Sequence, residues 1–159
     1  MCNGRHEKRR LVALALQLYP RRVVSRYCPV RQDRVNSMDY IGVLDIPALS
    51  LTLPVLKEWD YPSLNVAPCR YAGSVYADGF VIAAHNYDSH FGRIGSLSTG
   101  DSVRFTDIDG NVFDYSVAAI ETLDHYATDD MKSDDWSLSL FTCTLGGQYR
   151  VTVRCDRAE

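Results

Sequence analysis

The segment "SLSLFTCTLGGQYRVTVRC", residues 137 to 155, sets a cysteine and an arginine seven positions apart across a short glycine-containing loop. Its two flanks alternate apolar and polar residues in the manner of paired strands. Cys143 then ends one strand and Arg150 opens the next, and the ends of paired strands are neighbours. A permanently charged guanidinium beside a thiol favours the thiolate and can donate hydrogen bonds to an oxyanion. Those are the requirements of a cysteine nucleophile. By period two, Cys155 shares a face with Val151 and Val153 and reads as a core thiol. Arg154 shares the face of Arg150 and competes for its role; Arg150 lies nearer the Cys143 end, which decides between them.

A cysteine nucleophile needs a partner that handles protons, and histidine is the usual one because its pKa lies near neutrality. Of the four histidines, His6 sits in a basic segment and His125 in the acidic stretch "ETLDHYATDD", where it reads as solvated. His90 starts a loop turn and reads as its cap. His85 ends the apolar run "VIAA", so a rigid strand would hold it at the domain's edge. On the residues alone, a loop-anchoring role for His85 stands beside the catalytic one.

The elements that must position these groups are short strands at close spacing. "YIGVLDI" and "LSLTLPVL" are divided at Pro47, and the second alternates leucine with small residues as a half-buried strand does. "GFVIAAH" is a continuous apolar run and reads as buried on both faces. "SHFGRIGSL" suggests a brief helical turn. "DSVRFTD" and "VFDYSVAAIETL" flank "IDGN", whose Asp-Gly suits the positive φ angles of a tight reversal. The last hairpin completes the set. This pattern predicts an all-β fold, a closed or nearly closed barrel with short helices. Trp59 and Trp136 read as packing residues, and "TDDMKSDD" as a solvated loop.

Charge divides the chain. Residues 1–34 hold nine Lys/Arg against Glu7 and Asp33, about +7, and the remainder holds eight basic and eighteen acidic residues, about −10, for a net −3. A basic N-terminal arm or helix over residues 1–36 therefore precedes an acidic domain over 37–159. A nucleic-acid reader would concentrate its basic residues in the folded part, so that partner is not expected. The apolar run from Leu11 to Tyr19, with basic flanks, is far short of the roughly 20 residues a spanning helix needs, and reads as the start of a shortened signal anchor or as an amphipathic surface helix, the first being favoured. Five cysteines with no CxxC pair argue against a zinc site.

Several stretches together resemble one known family. "IAAHNYDSHFGRIGSLSTGD", residues 82 to 101, resembles the region around the catalytic histidine of sortases, where a buried strand ends in Ala-Gly-His and a His-Phe-Gly loop leads to Leu-x-x-Gly-Asp. "SLFTC" at 139 to 143 is similar to the sortase Thr-Leu-x-Thr-Cys signature, with Ser139 in first position. "RVTV" matches the arginine that opens the following strand, and "IGVLDIPALSLTLPV" and "YAGS" resemble the opening strands. The similarity runs from about residue 38 to 155 in matching order.

The resemblance implies an eight-stranded barrel and a cysteine transpeptidase on the extracellular face of a Gram-positive cell membrane. Such an enzyme cleaves an LPXTG-like C-terminal sorting signal on surface proteins. It passes the acyl group through a thioester to an amine of peptidoglycan precursor or a pilin lysine. A membrane tether and no cofactor or metal are implied. Carried over, Cys143 is the nucleophile, His85 the acid and base, and Arg150 the group that positions substrate and stabilises the tetrahedral intermediate. Thr142 assists the oxyanion or substrate backbone. Ala83, Ala84, Ile120 and Leu140 are expected at the apolar rim that grips the signal, and the segment holding "TDDMKSDD" as one groove wall. The 58-residue interval from His85 to Cys143 leaves no room for the long insertion of class B, so a compact member nearer classes A, D or E is expected. Only Asp78 lies where calcium-dependent class A members carry several carboxylates, so no calcium requirement is expected.

Other classes fit less well. A cysteine phosphatase places its arginine six positions after the cysteine at the start of a helix, whereas "RVTVRC" reads as a strand. A papain-like protease is excluded by length and by the sequence around its cysteine. A non-catalytic β-barrel binding module with a packed Cys143 is the remaining alternative.

Overall fold

The computed structural model describes residues 38–159; the basic arm over 1–36, with Cys2, Cys28 and His6, lies outside the described residues. Eight strands run in chain order as β1 (Tyr40–Ile46), β2 (Leu51–Leu56), β3 (Cys69–Ala72), β4 (Phe80–Ala83), β5 (Ser102–Asp107), β6 (Val112–Asp124), β7 (Leu138–Cys143) and β8 (Tyr149–Arg157). They close into a barrel in the order β1-β2-β3-β4-β7-β8-β6-β5. The all-β, eight-stranded barrel expected from the sequence is therefore the architecture observed. Two single-turn helices, α1 (Tyr61–Leu64) and α2 (Thr128–Met131), lie in the β2–β3 and β6–β7 connections.

Period two sorts each central strand into two faces. Phe80 and Ile82 of β4, Leu138 and Leu140 of β7, and Val153 and Cys155 of β8 fill the barrel interior. The intervening residues Val81, Ala83 and Phe141 face outward and form a second apolar cluster with Leu56, Leu64, Cys69 and Met131. This is why "GFVIAAH" shows no alternation: β4 has a core on each side. Burying a phenylalanine such as Phe80 contributes about 1.5–3 kcal/mol, and each face of β4 gains from such packing.

Two local features shape the rest. The "IDGN" turn joins β5 to β6 with Gly110 at φ +89°. Pro54, mid-strand in β2, pairs with Val43 of β1. β2 meets β3 through the single pair Leu56–Cys69, so the missing N–H of Pro54 breaks no ladder there.

Gly42, opposite Asp107 across β1 and β5, is fixed by close approach. A Cβ there would sit 2.3 Å from Thr106 O and 2.5 Å from Phe105 Cζ, a ring buried in the barrel. Gly42→Ala is expected to cost about 1–3 kcal/mol by overpacking and to lower the melting temperature by about 4–12 °C. Thermal unfolding followed by circular dichroism checks this, and an unchanged midpoint would show that Phe105 gives way freely.

Candidate active site

β4, β7 and β8 are adjacent, and their ends bring the three sequence-predicted polar residues together. β7 pairs with β8 so that Cys143 stands opposite Arg150. β4 runs parallel to β7 with Ala83 level with Phe141, and Ala84 N–H extends the ladder by donating to Phe141 O at 3.2 Å. β4 ends at Ala83, and His85 follows the Ala84 bond by one residue, past the strand's end and toward the level of Cys143. Neighbouring strands lie about 4.8 Å apart, so Cys143 has Arg150 one strand away on one side and the chain leading to His85 on the other. Cys143 and Arg150 continue the outward series of β7 and β8.

The loop after β4 fixes His85 from behind. Phe91 N–H donates to the His85 carbonyl at 3.2 Å, and the Phe91 ring is buried in the interior cluster beside Ile94 and Leu97. The loop thus plugs the barrel end beneath the histidine. Gly92 permits the tight return, since a Cβ there would meet Tyr87 C and O at 2.8 Å. The imidazole itself is half-buried, 5.0 Å from the Tyr87 ring, with Nε2 3.1 Å from Asn65 Oδ1. Donation from Nε2–H to that amide oxygen orients the ring. His90 is buried against this assembly, and burial, with His85 nearby, pushes its pKa down, so it is kept neutral.

Asn65 was not visible as a site residue in the sequence. It follows α1, whose start carries a readable signal: Asp60 caps the helix by accepting Ser63 N–H at 2.6 Å, with a proline in the first turn. The helix end could be read from "DYPSLN", but nothing in that string points to a histidine twenty residues on.

Arg150 supplies the electrostatics. Its guanidinium carbon lies 5.3 Å from the centre of the Phe141 ring. Nε and Nη1 are buried, and among the described residues neither has a hydrogen-bond partner. A buried donor without an acceptor costs about 1–3 kcal/mol, so two such donors beside an exposed sulfur are a costly feature that an incoming carbonyl oxygen would relieve. Thr142 alternates to the other side of β7 from Cys143. It is buried, and its hydroxyl likewise finds no partner among the described residues.

The apolar rim differs from expectation. Of the four residues named for it, only Ala83 belongs to the outer cluster. Leu140 and Ala84 lie in the barrel interior, and Ile120 packs against it. The reason is strand period: Ala83 and Ala84 are successive and cannot share a face, and Leu140 is an odd number of residues from Cys143. Phe141, Val81 and Met131 take the outward positions instead. Met131 also corrects the reading of "TDDMKSDD" as a solvated loop, since its side chain is fully buried beside Phe141 while the aspartates around it are not. His125, expected in solvent, is half-exposed and tied to the β7–β8 loop: its Nδ1–H donates to Gln148 O at 3.0 Å, and its ring lies 3.7 Å from that of Tyr126.

The three described thiols are free and differ sharply. Burial, with Asp60 nearby, pushes Cys69 up to about 12, and burial, with Asp156, does the same to Cys155. Cys143 alone among them is exposed.

Comparison with known proteins accords with this arrangement. Residues 44–158 match the sortase domain, and the chain belongs to the sortase family. It is 28% identical over 106 residues to sortase D of Bacillus subtilis (strain 168), covering 64% of this chain and 53% of that protein. It thus spans about half the length of that relative. Sortase A from Corynebacterium diphtheriae shares the fold with a TM-score of 0.68 at 23% identity, over 77% of this chain and 62% of that one. Clostridium perfringens sortase C, solved with the C-terminal cell wall sorting motif, gives 0.67 at 24%, over 76% and 71%. These relatives carry the labels A, C and D, and so do not single out a class.

Proposed function

We propose that this protein is a cysteine transpeptidase that cleaves an LPXTG-like C-terminal sorting signal and transfers the acyl part to an amine, at the extracellular face of a Gram-positive cell membrane. The amine belongs to a peptidoglycan precursor or a pilin lysine. One observation carries the reading: Arg150, with two buried donor nitrogens that have no acceptor among the described residues, stands opposite the one exposed thiol of the described residues in the β7–β8 register.

In this scheme the Cys143 thiolate attacks the carbonyl carbon of the scissile peptide. Arg150 donates to the oxygen as negative charge collects there. An amine is a poor leaving group, so the imidazolium of His85 protonates it as the C–N bond breaks, leaving a thioester on Cys143. The incoming amine then attacks the thioester, gives its proton to the imidazole, and sulfur departs. The reaction needs a deprotonated sulfur and a protonated imidazole together, so a bell-shaped pH profile is expected. Ala83 and Phe141 lie buried beneath the surface proposed for the signal's Leu-Pro part. The sorting motif bound to Clostridium perfringens sortase C supports a peptide of this class. Among the described residues no helix is long and apolar enough to cross a membrane.

A library of quenched fluorescent pentapeptides, incubated with and without a small amine, tests the proposal. The expected result is cleavage of LPXTG-like members, with mass spectrometry showing the acyl fragment joined to the amine and a thioester adduct on Cys143. Binding of the same peptides without cleavage would instead favour the non-catalytic module.

A further inference from the structure

Arg154 is 2% exposed, and every hydrogen bond its guanidinium makes converges on the same small region. Nε donates to Glu121 Oε1 of β6 at 2.6 Å and Nη1 to Ser139 Oγ of β7 at 2.9 Å. Nη1 also reaches Met131 O at 3.4 Å, and Nη2 donates to Asp130 O at 2.6 Å. The last two acceptors are carbonyls at the C-terminal end of α2. A four-residue helix cannot sustain itself, and its final carbonyls have no partners within the helix. A cation placed there satisfies Met131 O, adds to the 3.4 Å bond that Ser133 N–H gives Asp130 O, and opposes the negative end of the helix.

The position of α2 decides where Met131 sits. That side chain is fully buried in the outer cluster with Phe141 and Ala83, and its sulfur accepts from Thr152 Oγ1 at 3.8 Å. Phe141 in turn carries the Arg150 guanidinium. Arg154 stands opposite Ser139, four residues along β8 from the Arg150–Cys143 pair, and none of its hydrogen bonds reaches Cys143 or His85.

We propose that Arg154 is a positioning residue for peptide binding: it clamps α2 to β6 and β7 and so fixes Met131 in the buried outer cluster with Phe141 and Ala83, beneath the surface proposed to take the peptide. This rests on the proposed reading that the outer cluster takes a peptide. A buried arginine is a poor stabilising device, because an apolar side chain of similar size is often as good or better for stability. Its value here lies in holding main-chain carbonyls that no apolar residue could hold. Ser139, in the first position of the cysteine signature, thereby acts as one of the clamp's acceptors.

The test compares Arg154→Met and Arg154→Lys with wild type. For cleavage of a sorting-signal peptide, Arg154→Met is expected to raise KM about 10-fold while kcat stays within about twofold, and Arg154→Lys to recover part of the loss. The alkylation rate of Cys143 by iodoacetamide, across pH, is expected to be unchanged in both. Hydrogen exchange at residues 127–132 is expected to quicken about 10-fold in Arg154→Met, with the barrel strands unaffected. An unchanged KM with unchanged exchange would overturn the proposal, as would a loss confined to kcat and the alkylation rate. Should Arg154→Met fail to fold, Ser139→Ala removes one acceptor and carries the same readouts, with faster exchange at 127–132 expected and unaltered exchange overturning the clamp. If wild type cleaves no such peptide, the functional reading fails, and the exchange measurement still decides whether Arg154 holds α2.

Discussion

Replacing Cys143 by alanine is expected to lower turnover of a sorting-signal peptide by about 10³-fold or more, to the level of the assay blank. No other described thiol can substitute. Cys69 and Cys155 are buried, and burial pushes both up to about 12, where they stay protonated at any physiological pH. Cys69 also spends its weak S–H bond on Ala67 O at 3.4 Å. Iodoacetamide followed by peptide mapping should therefore mark Cys143 ahead of both. The companion change His85→Ala separates two functions of the site. It is expected to cut peptide turnover by about 10²–10⁴-fold, the range for losing a general acid and base. Cys143 should nonetheless remain open to the alkylating reagent, which needs no protonated leaving group. Wild-type turnover in Cys143→Ala would dismiss the nucleophile. Labelling confined to Cys2 or Cys28 would return the binding module to favour.

What the sequence made legible follows from where strands end. Cys143 and Arg150 flank a short loop, and a short loop between alternating segments leaves little freedom about which residues face each other. His85 closes an apolar run that reads as a strand buried on both sides, so its placement at a rim was readable too. The phase of β7 was equally available: counting back from an outward Cys143 by twos gives Phe141 and Ser139, and leaves Leu140 inside. Expecting Leu140 in the groove ignored that count. Other contributions leave no local trace. Met131 is a single apolar residue in an acidic run, and periodicity does not register one anchor in a one-turn helix. Asn65 meets His85 only because the β2–β3 connection folds α1 over the end of β4, a path no string of residues declares. Arg154 was recognised as a rival to Arg150 on the same face. Its true distinction, that each of its guanidinium nitrogens has an oxygen acceptor while two of Arg150's have none among the described residues, depends on the placement of α2 and β6.

That distinction between the two arginines gives the second large expectation. Arg150→Ala is expected to lower kcat about 10²–10³-fold, the usual loss when a donor to a developing oxyanion is removed. Arg150→Lys should recover little of it. Lysine keeps the charge, but its ammonium is a hydrated point on a flexible stem, whereas the guanidinium is a planar fork held against the Phe141 ring. Stability should move the other way. Two buried donor nitrogens without acceptors among the described residues each cost about 1–3 kcal/mol, so Arg150→Met, apolar and of similar length, is expected to melt at or above the wild-type temperature while remaining nearly inactive. A site that stores unpaired donors for a transition state gains stability when they are removed, and loses its chemistry. Steady-state kinetics and thermal unfolding on the same three variants check both halves. Full activity in Arg150→Lys would reduce the requirement to charge alone. A marked destabilisation of Arg150→Met with activity intact would show that the guanidinium serves the fold.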